Sequence, residues 1–300
     1  MSFQSRLGCR WVRLYAKQKP PGEAALVDFT RRRFRTPGWL VWMHSLGVKI
    51  QAVESPVKGE WISPREGPEN DLVVYYLHGG GYISGSAKSC RPITSTLARQ
   101  LKARVFGLDY RLAPEHRFPA GLDDAVAGYR WLLSNGIDPQ FIAVVGDSAG
   151  GGMTLALALR LRDLGGPLPR CLVCLSPWTD MTGTSESLSS NSDCDSMFVG
   201  EDIERYAAAY LGSHSRQDPL ASPLLAEVSG LPPLLIQVGR DEVLLDDARN
   251  FHAKVSAASG SSHLHIYETV PHGWHYGAPF LPETRQALSE VAKFIQRLAL

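Results

Sequence analysis

The strongest constraint on the fold is a repeated alternation of short apolar runs with helix-like segments. Six apolar runs are typical of buried strands, at 71–77, 103–109, 141–146, 170–176, 233–239 and 263–269. Helical patterns lie between or after them, at 119–134, 149–163, 244–258 and 283–299. Continuous apolar strands separated by helices are typical of a mostly parallel sheet with helices on both faces. The sequence therefore predicts a doubly wound α/β fold, and residues 49–62 are expected to add one or two antiparallel edge strands.

Charge and cysteine content exclude several classes of protein. The 300 residues include 31 Lys and Arg against 30 Asp and Glu, so the net charge of +1 gives no overall attraction for nucleic acid or a membrane. No run reaches the roughly 18 apolar residues of a spanning helix, so we expect no stable membrane insertion. Five cysteines are an odd and sparse set, which favours a reducing, cytoplasmic compartment. The C-x-x-C pair at 171–174 lies in an apolar strand and predicts no metal site.

Two stretches fall outside the alternation. The first, residues 1–45, is basic and rich in large apolar side chains, with a pattern that indicates an amphipathic helix near its start. The ordinary interpretation lays the apolar stripe on the fold; a transit peptide or a surface-lying helix are the alternatives. The second, residues 179–212, is Ser/Thr/Asp-rich and then helical. Insertions at strand ends lie where open α/β sheets bind ligands, so both are predicted to cover a site. For residues 179–212, the alternative is a disordered surface loop.

The sequence Gly146-Asp147-Ser148-Ala149-Gly150 marks a candidate nucleophile. It follows the apolar run 141–146 and leads directly into a helical pattern. A side chain displayed on such a turn requires glycine on both sides, because the backbone is strained and crowded there. We therefore predict that Ser148 is a catalytic nucleophile.

A run of glycines after the first predicted core strand suits an oxyanion hole. The sequence is His78-Gly79-Gly80-Gly81-Tyr82, and glycines let backbone N–H groups approach a bound group closely. A phosphate cradle is the alternative, but no Lys-Ser/Thr pair follows the glycines. His78 is expected to be a structural hydrogen-bonding residue.

A serine nucleophile needs a histidine base and a carboxylate that orients it. Asp241 is the first carboxylate after the strand at 233–239, and we predict it as the acid. Glu242, Asp246 and Asp247 are the competitors, each also explained as a first-turn helix residue. His272, in a Pro-His-Gly turn after the last strand, is preferred as the base over His275.

Five motifs in order resemble the hormone-sensitive-lipase-like family of α/β-hydrolases, the branch of microbial short-chain esterases with a GDSAG nucleophile motif. The motifs lie at 78–82, 109–120, 146–151, 239–248 and 271–275. The resemblance implies the triad Ser148, Asp241 and His272. It further implies the oxyanion donors Gly80, Gly81 and Ala149, with motif support from His78, Gly79, Asp147 and Glu115. It also divides the chain into an N-terminal cap segment, 1–45, and a catalytic domain, 46–300, with a second cap segment inserted at about 183–215.

The sequence thus predicts a serine carboxylesterase for short- to medium-chain acyl esters. An amide, carbamate or lactone hydrolase on the same triad is the alternative, and a ligand receptor of the same fold is a more distant one. We expect no metal or organic cofactor, a small ester as the binding partner, and no nucleic acid; a homodimer is left open. Candidate substrate contacts are Tyr82, Phe198 and Trp274.

Overall fold

The computed structural model describes residues 2–17, 25–33, 35–277 and 280–298. Within these ranges the chain forms eight strands and ten α-helices. The strands are β1 (Val48–Val53), β2 (Gly59–Pro64), β3 (Val73–Leu77), β4 (Arg104–Leu108), β5 (Ile142–Asp147), β6 (Cys171–Leu175), β7 (Leu234–Gly239) and β8 (Ser262–Tyr267). The helices are α1 (Phe3–Ala16), α2 (Leu26–Arg33), α3 (Gly38–Ser45), α4 (Arg91–Leu101), α5 (Ala120–Ser134), α6 (Ala149–Asp163), α7 (Ser187–Ser190), α8 (Gly200–Leu211), α9 (Leu245–Ala257) and α10 (Pro282–Arg297).

All eight strands belong to one sheet, in the order β1-β2-β4-β3-β5-β6-β7-β8. Strands β3 to β8 pair in parallel, whereas β1 with β2 and β2 with β4 pair antiparallel. The predicted α/β fold is confirmed, and residues 48–64 supply the two antiparallel edge strands. Sequence analysis did not predict α4, which lies between β3 and β4. The predicted end of the last helix, at 299, lies outside the described residues.

Side chains that alternate along the central strands divide the core between the two faces of the sheet. Val73, Tyr75 and Leu77 of β3 pack on the side covered by α5, α6 and α9, while Val74 and Tyr76 pack on the side of α4 and α10. Every residue of β3 is fully buried, as expected for a strand with helices on both faces. The Tyr75 hydroxyl, which cannot reach water, donates to the carbonyl of Ala125 in α5 at 2.9 Å. The two layers therefore fix the central strands rigidly.

The parallel arrangement brings the carboxyl ends of five strands to one edge of the sheet. The glycine run follows β3, Ser148 follows β5, Ser176 follows β6, and the predicted acid and base follow β7 and β8. The candidate functional residues consequently converge at this edge, where open α/β sheets bind their ligands.

In the described part of the chain, every helix is too short or too polar to span a bilayer.

Candidate active site

Ser148 lies at the tight turn between β5 and α6. Its backbone has φ 54° and ψ −119°, a conformation that costs a non-glycine residue about 1 to 3 kcal/mol. Glycine is required on both sides, because a Cβ on Gly150 would overlap the carbonyl of Leu77 and one on Gly146 would overlap the carbonyl of Gly150. The turn is held by a 2.7 Å hydrogen bond from the Ser148 N–H to the carbonyl of Leu175. This geometry presents the serine side chain at the start of a helix.

The glycine run after β3 is held beside this turn by Asp147. The Oδ1 atom of Asp147 accepts from the Gly79 N–H at 2.9 Å and from the Tyr76 hydroxyl at 2.7 Å. Its Oδ2 atom accepts from the Tyr276 hydroxyl at 3.0 Å. These bonds join Asp147 to Gly79 and so fix the position of the glycine loop.

The next two glycines adopt conformations that disfavour side chains. Gly80 and Gly81 have φ of 119° and 62°, and a Cβ on Gly80 would overlap the carbonyl of Ser84. Among the described residues, neither N–H group has a hydrogen-bond acceptor. Both glycines line a cavity together with Ser148, so their N–H groups are available to a bound group there.

His272 forms a buried pair with Glu242. The two side chains meet with Nδ1 of His272 2.5 Å from Oε2 of Glu242, and the ring donates because a carboxylate only accepts. The other carboxylate oxygen accepts from the Ser176 hydroxyl at 2.7 Å and from the Gly239 N–H at 2.6 Å. Burial, the largest single influence, lowers the pKa of His272, but the charge and hydrogen bond of Glu242, together with the charges of Asp195 and Asp147, raise it above its ordinary value. The other ring nitrogen, Nε2, remains for proton exchange.

The prediction that Asp241 orients the histidine is wrong. After β7 the chain makes a tight turn in which the Glu242 N–H donates to the carbonyl of Gly239 at 3.2 Å. The turn brings Glu242 back over the strand end, toward His272, and leaves Asp241 partly exposed. Partial burial, followed by the charge of Glu268, raises the pKa of Asp241. Glu242, which sequence analysis weighed as a competitor, therefore occupies the predicted position of the acid.

The other histidines near the site have structural partners. His275 is buried, with Nε2 3.1 Å from Oε1 of Gln237, and burial lowers its pKa to about 3. His78 stacks on Tyr110 with ring centroids 4.1 Å apart, and its Nδ1 lies 2.8 Å from the Gly79 carbonyl. Neither lines the cavity that contains Ser148 and His272. The preference for His272 and the structural interpretation of His78 agree with this placement.

A second buried carboxylate, missed by sequence analysis, ties the inserted segment to the acid loop. Asp195 accepts from the N–H groups of Met197 at 2.7 Å and Phe198 at 3.1 Å through Oδ1, and from the Val243 N–H at 2.9 Å through Oδ2. Burial, the largest influence, raises the pKa of Asp195, and its charge in turn raises the pKa of His272. Only its position in a Ser/Asp-rich insertion marked it in the sequence.

Ser148 and His272 line one cavity of about 530 Å³. Its walls come from the strand ends and from both stretches outside the α/β alternation. The N-terminal stretch contributes Gly8, Trp11, Val12, Thr30, Arg35, Thr36, Pro37 and Leu40, and the insertion contributes Met197, Phe198, Ile203 and Tyr206. The cavity is therefore enclosed largely by apolar side chains, with the reactive groups at the strand ends.

The three candidate substrate contacts differ in position. Phe198 and Trp274 line the cavity, and the Phe198 ring packs edge-on against His272 with centroids 5.1 Å apart. Tyr82 does not line it. Its ring is buried and stacks on Tyr210 of α8 with centroids 3.8 Å apart. Because that stacking face is occupied by α8, Tyr82 holds the insertion in place and is not in position to contact a substrate.

Helix α1 of the N-terminal segment packs against the protein in the reverse of the expected orientation. The apolar stripe of α1 points to solvent, with exposed fractions of 73% for Phe3, 63% for Trp11 and 78% for Leu14, whereas Ser5 is buried. Trp39 and Trp42 of α3 are also exposed. The expectation that the large apolar residues of this segment pack over Ser148 is wrong for Leu14, Trp39 and Trp42, whereas Trp11, although largely exposed, lines the cavity of Ser148. The Tyr15 side chain and Phe34 lie outside the described residues.

Polar contacts hold the N-terminal segment. Ser2 donates to Glu283 at 2.6 and 2.8 Å, and Arg13 donates to the carbonyls of Asp193 and Cys194 at 2.9 Å. A cluster of bonds centred on Arg31 anchors α2. Its partners are Glu115 at 2.7 and 2.8 Å, the Ile83 carbonyl at 2.8 Å and the Ala113 carbonyl at 3.2 Å. Glu115 thus supports the site by anchoring α2.

Known proteins share both this sequence and this fold. A family model for the α/β hydrolase fold matches residues 74–276. An acetyl-hydrolase from Streptomyces hygroscopicus is 40% identical over 237 residues, which cover 79% of each protein. An esterase of the bacterial hormone-sensitive lipase family is 41% identical, with 99% of each chain covered and a TM-score of 0.90. A hormone-sensitive lipase from a metagenome library is 33% identical, with 98% of each chain covered and a TM-score of 0.88.

This chain therefore belongs to the hormone-sensitive-lipase-like family of α/β-hydrolases, as its motifs predicted. The sequence-based prediction of a carboxylic ester hydrolase agrees with the names of these relatives.

Proposed function

We propose that the chain is a serine carboxylesterase with the triad Ser148, His272 and Glu242. The observation that carries the proposal is the buried His272–Glu242 pair, whose histidine lines the same cavity as a serine on a strained turn. A histidine held by a carboxylate at one ring nitrogen presents the other nitrogen as a base.

In the first step, His272 removes the proton of the Ser148 hydroxyl as its oxygen attacks the ester carbonyl. The hydrogen bond from Nδ1 to Glu242 fixes the tautomer that leaves Nε2 unprotonated. Once Nε2 carries the proton, Glu242 stabilises the charged ring. The same proton then passes from Nε2 to the leaving alcohol, which departs and leaves an acyl-serine.

The negative charge on the carbonyl oxygen would be stabilised by the N–H groups of Gly80, Gly81 and Ala149. The φ values of 119° and 62° at the two glycines orient the loop without side chains, and Ala149 begins α6. Donors fixed in advance around a developing oxyanion are worth about 3 to 4 kcal/mol each. In the second half of the reaction, water activated by His272 attacks the acyl-serine and releases the acid.

We propose short- to medium-chain acyl esters as substrates. The cavity of about 530 Å³ is lined by Trp11, Leu40, Phe198 and Trp274, and its finite volume supports a limit on the length of the acyl chain. A rate profile over p-nitrophenyl esters from acetate to palmitate tests this point. Turnover should be highest at about two to eight carbons and should fall for longer chains, whereas a maximum at palmitate would contradict it.

The triad is tested by removing the nucleophile. Ser148→Ala should lower kcat on p-nitrophenyl butyrate by about 10⁵ to 10⁶ and abolish labelling by a fluorophosphonate. Adding His272→Ala should cost little more, because the residues act as a unit. Ser189→Ala, on the exposed side of α7, is the matched control and should behave as the wild type. A Ser148→Ala protein that is still labelled, or that keeps esterase turnover, would overturn the proposal.

A further inference from the structure

A second, basic cleft opens beside the cavity of Ser148. It has a volume of about 440 Å³ and shares three wall residues with that cavity, namely Arg35, Thr36 and Ser89. The remaining residues that line it are Gly38, Val41, Trp42, Ser45, Ser86, Lys88 and Arg91. Because the two spaces share these walls, a bound molecule that extends from Ser148 along residues 35 and 36 would enter the cleft.

The cleft carries two positive charges that the protein does not neutralise. Arg91 is neutralised, since its guanidinium binds both carboxylate oxygens of Glu60 at 2.9 and 2.7 Å. Arg35 and Lys88 are exposed, and no carboxylate of the described residues lies within ion-pair distance of either. None of the described residues that line the cleft is an Asp or Glu. Among the described residues that line the cleft, Arg35 and Lys88 therefore contribute a net charge of +2.

The adjoining cavity, in contrast, is lined mainly by apolar residues. Among the described residues its only acidic wall residue is Asp147, whose carboxylate already accepts from Gly79, Tyr76 and Tyr276. A substrate that fits both spaces consequently has an apolar part near Ser148 and a negative charge farther out. Guanidinium and ammonium groups bind carboxylates and phosphates through short, charge-assisted hydrogen bonds.

We propose that the basic cleft is a specificity site for esters that carry an anionic group, a carboxylate or a phosphate, at a distance from the reacting carbonyl. This inference rests on the proposed esterase function and names its substrate class. Arg35, which lines both spaces, contacts the anionic group where the cavity and the cleft meet, and Lys88, which lines the cleft alone, adds a second positive charge. The apolar walls formed by Val41 and Trp42 accommodate the chain that links the two ends of the substrate.

The test uses pairs of esters that differ only in charge. Mono-p-nitrophenyl esters of dicarboxylic acids of increasing length are compared with the same esters whose free carboxyl is a primary amide. A second arm carries the charge on the alcohol, as butyrate esters of hydroxyalkanoic acids against their amides, and a third replaces the carboxylate by a phosphomonoester. The measured quantity is the ratio of kcat/KM for the anionic ester to that for its neutral partner.

In the wild type we expect a ratio of about ten or more at the chain length that spans the two spaces, weakening as salt is added. The Arg35→Gln, Lys88→Gln double variant should bring the ratio close to one, and Arg35→Lys should keep most of it. Arg32→Gln is the control. Arg32 is exposed in the same segment but lines neither space, so its loss should leave the ratio and the basal turnover unchanged.

A wild-type ratio near one in all three arms, or a high ratio that survives the double variant, would overturn the inference. Turnover of p-nitrophenyl butyrate is measured alongside. If the wild type hydrolyses butyrate but shows no charge preference, only the specificity site fails. If butyrate is not hydrolysed by a Ser148-dependent reaction, the proposed function fails instead.

Discussion

The strand ends beneath the cavity and the segments that enclose it are held together by different forces. At the strand ends, buried hydrogen bonds of 2.5 to 2.9 Å join Glu242 to His272 and Ser176, and separately join Asp147 to Gly79. The cover, the described parts of residues 2–45 and 183–215, is fixed at its N-terminal half by exposed ion pairs and by bonds to backbone carbonyls. Some large apolar side chains of that half, such as Phe3, Leu14 and Trp42, remain exposed, whereas Leu26 and Val41 are buried.

The firmly bonded strand ends suit the chemical step, and the less firmly held cover suits the selection of substrates. A proton relay requires atoms held to a fraction of an ångström, and buried bonds with no competing water provide that. A wall that accepts different acyl groups tolerates adjustment, and exposed contacts exchange easily with water. The inserted half of the cover is intermediate between the two, because Asp195 joins it to Val243 and Asp247 accepts from Ser185, both through buried bonds.

The largest effect is expected at the acid. Glu242→Gln should lower kcat by about 10² to 10⁴, because the amide cannot stabilise the charged ring of His272 and can bind the wrong tautomer. The neighbouring change Asp241→Asn should stay within about tenfold, since Asp241 lies on the outer side of the turn. Steady-state kinetics on p-nitrophenyl butyrate compare the two. Similar losses in both variants would contradict the geometry of the β7 turn.

That pair of carboxylates shows where the sequence was informative and where it was not. Apolar runs and flanking glycines were sufficient to place Ser148 and His272 at strand ends, because parallel strands bring those ends together. The choice between Asp241 and Glu242 depends on a four-residue turn that reverses the chain after β7. The spacing of apolar residues in the sequence does not indicate which of two adjacent carboxylates such a turn directs inward.

Helix α1 shows a second limit. Its spacing correctly predicted which residues share a face, as Phe3, Leu7, Trp11 and Leu14 do. The direction of that face depends on tertiary partners, and here polar groups at Ser2 and Arg13 determine it. The tendency of an apolar stripe to face the core was overridden, so the predicted packing failed although the predicted helix was found.

The next effect in size concerns the anchor of the insertion. Asp247 is fully buried and accepts from the N–H groups of Thr179 at 2.7 Å and Asp180 at 2.9 Å and from the Ser185 hydroxyl at 2.7 Å. Asp247→Ala leaves these donors unsatisfied and should reduce the free energy of unfolding by about 2 to 4 kcal/mol. Asp246→Ala, at a partly exposed position of the same helix, removes a single hydrogen bond, from the Ser187 N–H at 2.8 Å, and should cost only about 1 kcal/mol.

Urea unfolding at several pH values sharpens this prediction. Burial raises the pKa of Asp247 to about 7, so its ionisation destabilises the fold as the pH rises through that value. The stability that Asp247 contributes is therefore complete in acid and declines toward pH 7. The penalty of Asp247→Ala should be larger at about pH 5 than at about pH 8, and the opposite trend would contradict the assignment.

A smaller effect is expected where the cover meets the strand ends. Asp195→Asn removes a charge that raises the pKa of His272 and disturbs the bonds to Met197 and Val243. Because the base must be neutral, kcat/KM rises with pH through the His272 pKa. In the variant this rise should occur at lower pH. We also expect about a tenfold loss on the plateau. Asp193→Asn, at an exposed position two residues away, is the control. If the rise of kcat/KM in Asp195→Asn occurred at the same pH as in the wild type, the charge of Asp195 would not influence His272.

The smallest effect is expected from the ion pair between Arg31 and Glu115. A double-mutant cycle with Arg31→Gln and Glu115→Gln should give a coupling of about 1 kcal/mol or less in the free energy of unfolding, because both side chains are partly exposed. Arg31→Gln alone should cost more than Glu115→Gln, since Arg31 also binds the carbonyls of Ile83 and Ala113.

The pH dependence of that coupling follows from the bidentate bond. The Arg31 guanidinium lowers the pKa of Glu115 to about 2, so the coupling is complete above the ordinary carboxyl pKa and is lost only as the pH falls toward 2. Between about pH 8 and pH 5 the cycle should give one value, which added salt reduces. A coupling above about 2 kcal/mol that does not decrease with salt would mean that α2 is held as firmly as the strand ends. The distinction between a rigid catalytic edge and an adjustable cover would then not apply to α2.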